Sequence, residues 1–328
     1  MTQSDSPILI TGGAGYIGSV LVGQLLSQNY RVRVLDNLLY KQDSLKKYCD
    51  NSKLEIVHAD IRNETDVKHA LKGISAIVHL AAIVGDPACE KNKKLATEIN
   101  KEASEMLCAL VKEQKTRRFI FASTCSNYGK MELKEGYVDE TSRLKPVSHY
   151  ARLKVSFEEF LTAQKSDSFC PVVLRFATAY GMSPRPRLDL TVNEFTAVLA
   201  VGEKLEIYGE NFWRPYCHTV DIARACRLML DVDESMVAGQ SFNVGDTTEN
   251  FQKKTLVKFI LKELPDAREN VVFVAKDEDP RDYRVKFDKI RKTLGYEKTK
   301  TISNGIREYI DAIKCGQITD IYSQRYRN

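Results

Sequence analysis

Tyr150 and Lys154 stand four positions apart in the run Tyr150-Ala151-Arg152-Leu153-Lys154. On a helix that spacing puts a phenol and an ammonium on one face. An ordinary tyrosine titrates near ~10, too high to exchange protons at neutral pH. A neighbouring positive charge favours the phenolate, so the pair reads as a tuned proton-transfer group. Far upstream, Gly13-Ala14-Gly15-Tyr16-Ile17-Gly18 follows the apolar run Ile8-Leu9-Ile10, with Gly12 as an additional glycine. Glycines at this spacing permit a tight turn, let the backbone approach a diphosphate, and let helix pack on strand. The helix N-terminus then offers unpaired amides and a partial positive charge. Asp36 closes the next apolar run. A carboxylate there accepts hydrogen bonds from adenosine ribose hydroxyls and repels a 2′-phosphate, which favours NAD over NADP. A bound dinucleotide beside a proton-transferring tyrosine points to a redox enzyme.

These groups need a scaffold that aligns a strand end, a glycine turn and a distant helix. Apolar runs at 8–11, 31–35, 54–59, 76–80, 118–123 and 171–177 alternate with helical periodicity at 15–28, 65–72, 94–115 and 150–164. That alternation predicts an α/β fold, a Rossmann-type doubly wound parallel sheet. Ser183-Pro184-Arg185-Pro186-Arg187 is expected to be irregular, since proline lacks an amide donor and biases its predecessor away from helix. The boundary falls there. Residues 1–180 are expected to form the dinucleotide-binding domain and 181–328 mainly a smaller C-terminal substrate-binding lobe, with a segment near 214–245 returning to the first domain and its residues 241–244 to the main sheet. In that second part, 190–200 and 221–230 read as helix, 205–208 as strand and 209–215 as irregular.

The length suits a large α/β domain with a lobe. A net charge of +5 with dispersed basic residues leaves no clustered footprint for nucleic acid. The eight cysteines (49, 89, 108, 125, 170, 217, 226, 315) include no CxxC pair and no zinc spacing, so no metal is expected. Free thiols suit a reducing compartment. The opening Met1-Thr2-Gln3-Ser4-Asp5-Ser6 has no basic segment, and no run is long enough to span a membrane, which makes the cytoplasm the default.

The glycine run, the Tyr150–Lys154 element and Ala122-Ser123-Thr124-Cys125-Ser126-Asn127-Tyr128-Gly129 together resemble the extended short-chain dehydrogenase/reductase family, in its nucleotide-sugar epimerase/dehydratase branch. The resemblance covers nearly the whole chain. It implies a catalytic set of Thr124, Tyr150 and Lys154, with Thr124 hydrogen-bonding the reacting sugar oxygen. It implies an NAD site made of Gly12, Gly15, Tyr16, Ile17, Gly18, Asp36, Asn37, Asp60, Ile61, Leu80, Ala81, Ala82, Asn100, Ser123, Tyr150, Lys154 and Phe176. Asn100 matches an asparagine that supports the active-site backbone. It also implies a nucleotide-diphosphate sugar as partner, contacted by Thr124, Cys125, Ser126, Thr178, Asn193, Arg214 and Arg281, with Arg284 a further candidate. Arg214, between Trp213 and Tyr216, suits phosphate and base recognition.

Three departures bear on the activity. Family dehydratases usually carry an acidic pair after the threonine; here Cys125 and Ser126 stand there, and neither is a good general acid. Thr178 replaces an asparagine that epimerases often use on the diphosphate. Pro215 replaces the usual aspartate of an Arg-Asp-Tyr run, and Arg281-Asp282-Tyr283 does not keep the family spacing. The resemblance therefore implies an epimerase that oxidises sugar C4 transiently and retains its NAD. The alternative is a net 4-dehydrogenase or ketoreductase. Below these stand a 4,6-dehydratase and a non-catalytic dinucleotide sensor. A homodimer is also expected, built on helices 94–115 and 150–164, with Ala103, Met106, Leu107, Leu110 and Val111 as an apolar stripe.

Overall fold

The computed structural model describes residues 6–40, 42–131, 136–275 and 281–328. The leading Met1–Asp5, read above as lacking a basic segment, lies outside them. In chain order the strands are β1 (Ile8–Thr11), β2 (Val32–Asp36), β3 (Leu54–His58), β4 (Ala76–His79), β5 (Arg118–Thr124), β6 (Cys170–Phe176), β7 (Thr178–Tyr180), β8 (Leu205–Tyr208), β9 (Trp213–His218), β10 (Gln240–Val244), β11 (Asn250–Gln252) and β12 (Val271–Val274). Seven of them form one parallel sheet in the order β10-β6-β5-β4-β1-β2-β3. Chain order runs outward in both directions from the seam between β1 and β4, the place where α/β sheets open a crevice at their strand ends. The central strands are buried along their length because helices cover both faces.

The helix expected at 94–115 is interrupted. A turn of π-helix, Glu98–Glu102, separates Lys93–Thr97 from Ala103–Glu113. The stripe read as a dimer face is used within the chain: Ala103, Leu107, Leu110 and Val111 are buried against the sheet, and Met106 packs beside them. That apolar surface is already removed from water and docks the helix within the chain. The stretch expected to be irregular to residue 215 ends sooner. Trp213–His218 is a strand, paired with β7 and β11 in a small separate sheet.

Helix Ile302–Lys314 fastens the C-terminal part to the strand ends. Its Glu308 carboxylate accepts from His218 Nε2 at 2.8 Å, from the Met182 amide at 3.0 Å and from Lys300 Nζ at 3.2 Å. Burial works to raise this carboxyl's pKa, but the His218 bond and the other donors outweigh it and hold the group at about 2. A depressed carboxylate contributes stability that is full above its unfolded pKa, near ~4.5, and is lost as pH falls towards 2. Glu308→Gln is therefore expected to lower the melting temperature at neutral pH and to flatten the fall in stability between those two pH values. Thermal melts of both proteins across that range measure this.

Among the described residues no helix is long and apolar enough to cross a membrane, and no cluster of His, Cys, Asp and Glu could hold a metal ion. All eight cysteines are free.

Candidate active site

The carboxyl ends of β1, β2, β4, β5 and β6 open into a continuous cleft of about 410 Å³. At its centre the chain leaves β1 through Gly12, whose φ of +72° is open to glycine and strained for other residues. A Cβ on Gly12 would meet the Ala81 amide nitrogen at 2.7 Å, and one on Gly18 would meet the Gly12 carbonyl oxygen at 2.2 Å. The turn is thus pressed against β4 and against its own helix, Gly18–Ser27, whose N-terminus no side chain caps. Tyr16, Ile17 and Gly18 line the cleft there. This cradle is too tight for side chains and fits a dinucleotide diphosphate.

Asp36 ends β2 and is tied to the turn. Its Oδ2 accepts from the Ala14 amide at 3.0 Å and its Oδ1 from the Leu38 amide at 2.9 Å. Burial pushes its pKa up, opposed by those two amides. A 2′-phosphate brought to this carboxylate meets like charge in a partly dehydrated site. NAD is expected to bind far more tightly than NADP. Asp36→Ala should narrow the gap and weaken NAD too, because Ala14 and Leu38 lose their acceptor. Titration of both cofactors into both proteins checks this, and equal affinity of the native protein for the two would contradict it.

Asn37, Asp60 and Ile61 continue the lining beyond β2 and β3. Arg62 forks onto Asp60 at 2.8 and 3.0 Å, and that bond leads in holding the carboxyl below its usual range. Leu80, Ala81 and Ala82 line the cleft at the end of β4, and Phe176 at the end of β6. His79 is not a chemical group: it bridges Thr11 Oγ1 at 2.7 Å and Ser104 Oγ at 2.9 Å. Burial drives its pKa down to about 3, keeping it neutral.

At the other end Thr124, Tyr150 and Lys154 converge on the same cleft. Thr124 closes β5, and its Oγ1 accepts from the Ser126 amide at 3.1 Å, so its proton remains available to a ligand oxygen. Ser148 caps helix His149–Ala163, which presents Tyr150 and Lys154 one turn apart. Lys154 Nζ donates to the Ala122 carbonyl at 2.8 Å and lies 5.8 Å from the centre of the Tyr150 ring. Burial lowers the ammonium to about 8. The expectation that this ammonium depresses the tyrosine is not met. Burial dominates and raises the phenol well above its ordinary value.

Several expected contacts are redirected. The Cys125 side chain turns into the core, with Sγ donating to the Arg175 carbonyl at 3.2 Å, because the chain enters a 3-10 turn immediately after β5. It does not line the cleft; Ser126 does. The Asn100 amide is spent on the Ile83 backbone, accepting from N at 2.8 Å and donating to O at 2.9 Å, so it shapes the wall from behind. Asn193 is buried as a bridge: it accepts from the Gly181 amide and donates to Tyr16 Oη and the Arg187 carbonyl. Ser123 lines the cleft, but its hydroxyl donates to Glu158 behind it. Thr178, Arg214 and Arg281 do line the cleft. Arg214 lies over the ring of Tyr283 at 5.5 Å rather than over Trp213, and Tyr216 is core. Arg281 pairs with Asp86 at 2.8 Å. Arg284 sits over Tyr137 and Trp213, off the cleft.

Sequence reasoning missed Tyr40, Gln42, Arg185, Arg187, Thr191, Lys253 and Tyr283, all on the cleft wall. Only the two arginines left a signal, as cations in a proline-broken segment.

A dinucleotide cradle at the switch point of a parallel sheet, facing a Thr–Tyr–Lys constellation, defines an extended short-chain dehydrogenase/reductase. A sequence model of the NAD dependent epimerase/dehydratase family matches residues 8–245, and the chain belongs to that family. NAD is its cofactor. Among known relatives, a dTDP-glucose 4,6-dehydratase of Streptomyces niveus is 29% identical, over 93% of this chain and 91% of the relative. A putative UDP-glucose 4-epimerase of Methanocaldococcus jannaschii is 26% identical, over 94% and 98%. The dTDP-glucose 4,6-dehydratase of Streptomyces venezuelae, solved with NAD bound, superposes with a TM-score of 0.84 at 27% identity, covering 95% of this chain and 98% of that one. The UDP-glucose 4-epimerase of Thermotoga maritima, solved with UDP-glucose, gives 0.81 at 25%, covering 95% and 99%.

Proposed function

We propose that the chain is a nucleotide-sugar 4-epimerase that works by transient oxidation at sugar C4. The relatives include both epimerases and dehydratases, and one observation favours the first. Elimination of a hydroxyl needs a general acid beside the catalytic threonine. Here the two following positions hold a thiol turned into the core and a serine. Among the described residues lining the cleft, the side-chain carboxylates are Asp36 and Asp60. Asp36 lies three strand positions from β5, about 14 Å at ~4.8 Å per strand, and Asp60 lies beyond it. Neither serves the Thr124–Tyr150 end, and Asp86, whose charge does reach Tyr150, is held in an ion pair by Arg281 at 2.8 Å.

NAD, when bound, supplies a hydride acceptor that can return what it takes. The chain's own residues handle the proton and the placement. Tyr150 Oη takes the proton of the 4-hydroxyl and gives it back after the sugar has presented its other face. Thr124 donates to the same oxygen and fixes its position. Lys154 places positive charge near the phenol, and NAD in its oxidised form would add to it, favouring the phenolate that burial disfavours. Arg214, Arg281 and Lys253 supply cationic lining suited to a substrate diphosphate.

Incubation with UDP- and dTDP-hexoses, without added cofactor, tests the proposal. The expected result is a product of unchanged mass and inverted C4 configuration. Loss of water from the sugar would show a dehydratase, and stoichiometric build-up of reduced nicotinamide a net dehydrogenase.

A further inference from the structure

We infer that Arg185 is a side-chain clamp on the diphosphate of the bound dinucleotide, facing the glycine turn across the cleft. The segment that carries it is stapled to that turn. Tyr16 Oη donates to the Gly181 carbonyl at 2.5 Å, Ser183 Oγ donates to the Tyr16 carbonyl at 2.6 Å, and the Arg185 amide donates to Ser183 Oγ at 3.1 Å. Proline on both sides of Arg185 keeps this stretch out of helix or sheet and lets it follow the turn.

The side chain lines the cleft at only 4% exposure. Its guanidinium lies 4.2 Å from the centre of the Tyr40 ring, and Nη2 donates to the Arg327 carbonyl at 3.2 Å. Nε is buried and has no partner. A guanidinium does not shed its charge, and a buried cation with an idle donor is costly unless an anion completes it. Asp36 and Asp189 lie close enough for their charge to act on the guanidinium, but neither hydrogen-bonds it. Asp36 is held by the Ala14 and Leu38 amides, and Asp189 forks with Arg187 at 2.7 and 2.9 Å. The adenosine of a dinucleotide brings no negative charge to this wall, whereas its diphosphate does, in a form that matches the planar fork of arginine. The inference rests on NAD as cofactor and is independent of the epimerase reading.

The test is calorimetric titration of the native protein, Arg185→Gln and Arg185→Lys with NAD, adenosine and UDP. A charge-assisted bond lost from a buried site corresponds to about 10–100-fold in affinity. NAD should weaken by that factor in Arg185→Gln and by less in Arg185→Lys, while adenosine and UDP bind as they do to the native protein. NAD binding within twofold of native in Arg185→Gln would overturn the inference. So would equal weakening of adenosine, which would show a collapsed wall, or selective loss of UDP, which would assign the arginine to the substrate's diphosphate. If Arg185→Gln does not fold, Arg185→Lys decides: it keeps the charge and loses the fork, and native NAD affinity there would refute the clamp.

Discussion

Tyr150→Phe is expected to lower turnover on the correct sugar nucleotide by about 10²–10⁴-fold, the usual cost of losing a general acid/base. The fold and NAD affinity should be unchanged, because one hydroxyl is removed from a ring that otherwise keeps its place on helix His149–Ala163. Two neighbours sharpen the expectation. Thr124→Val should slow chemistry with little effect on NAD. Lys154→Met should slow chemistry and also weaken the cofactor, since Lys154 lines the cleft beside Tyr150. Steady-state kinetics with parallel NAD titrations separate the three. Full activity in Tyr150→Phe would remove the proton-transfer role on which every enzymatic reading of this cleft depends.

The largest expected effect on stability lies one turn further along the same helix. Glu158 is 3% exposed and Arg175 7%. Arg175 donates to Glu158 Oε2 through Nη2 at 2.8 Å and Nε at 3.0 Å. Asn127 Nδ2 donates to Glu158 Oε1 at 2.7 Å, and the Ser123 hydroxyl donates to the same oxygen. Arg175 Nη1 donates to Tyr128 Oη at 3.1 Å, and that hydroxyl in turn donates to Asn243 Oδ1 at 2.8 Å. The network locks helix His149–Ala163 to β5, β6 and β10. Removing one member strands a buried charge, which costs about 3–5 kcal/mol. Arg175→Met or Glu158→Gln should therefore lower the melting temperature by roughly 10 °C, at about 2–4 °C per kcal/mol for a chain of this order of size. The double variant Glu158→Leu/Arg175→Met should recover part of the loss, because neither charge is then left alone. Additive losses in the double variant would show that the pair is not the unit of stability.

What was legible in the sequence is what depends on short-range spacing. The glycine turn, Asp36 at a strand end and the Tyr150–Lys154 step all act through neighbours within a few residues, and each reaches the cleft. The fold class followed from the same local alternation of strands and helices. Contacts set by how elements pack were not legible. Cys125 is adjacent to Thr124 in sequence, yet its thiol enters the core and bonds the Arg175 carbonyl while Thr124 faces the cleft. Asn100 sits on a π-helical turn that helical periodicity does not announce, and its amide finds a backbone on another segment. Asn193 is spent between Tyr16, Gly181 and Arg187, three points that only the folded chain brings together. Pro184 and Pro186 announced irregular backbone correctly, but irregular backbone is not the same as exposed backbone. Arg185 and Arg187 are buried cleft residues. Likewise Tyr150's titration could not be read from its spacing to Lys154, because the burial that opposes ionisation comes from the surrounding walls.

The most direct test of the epimerase reading follows one hydrogen. A nucleotide hexose carrying deuterium at C4, incubated with the native enzyme and its own retained NAD, should return the C4 epimer with deuterium still at C4. Nuclear magnetic resonance of the product reads both the configuration and the label. Deuterium delivered to C6 of a dehydrated sugar, or released into a pool of free reduced cofactor, would contradict the account.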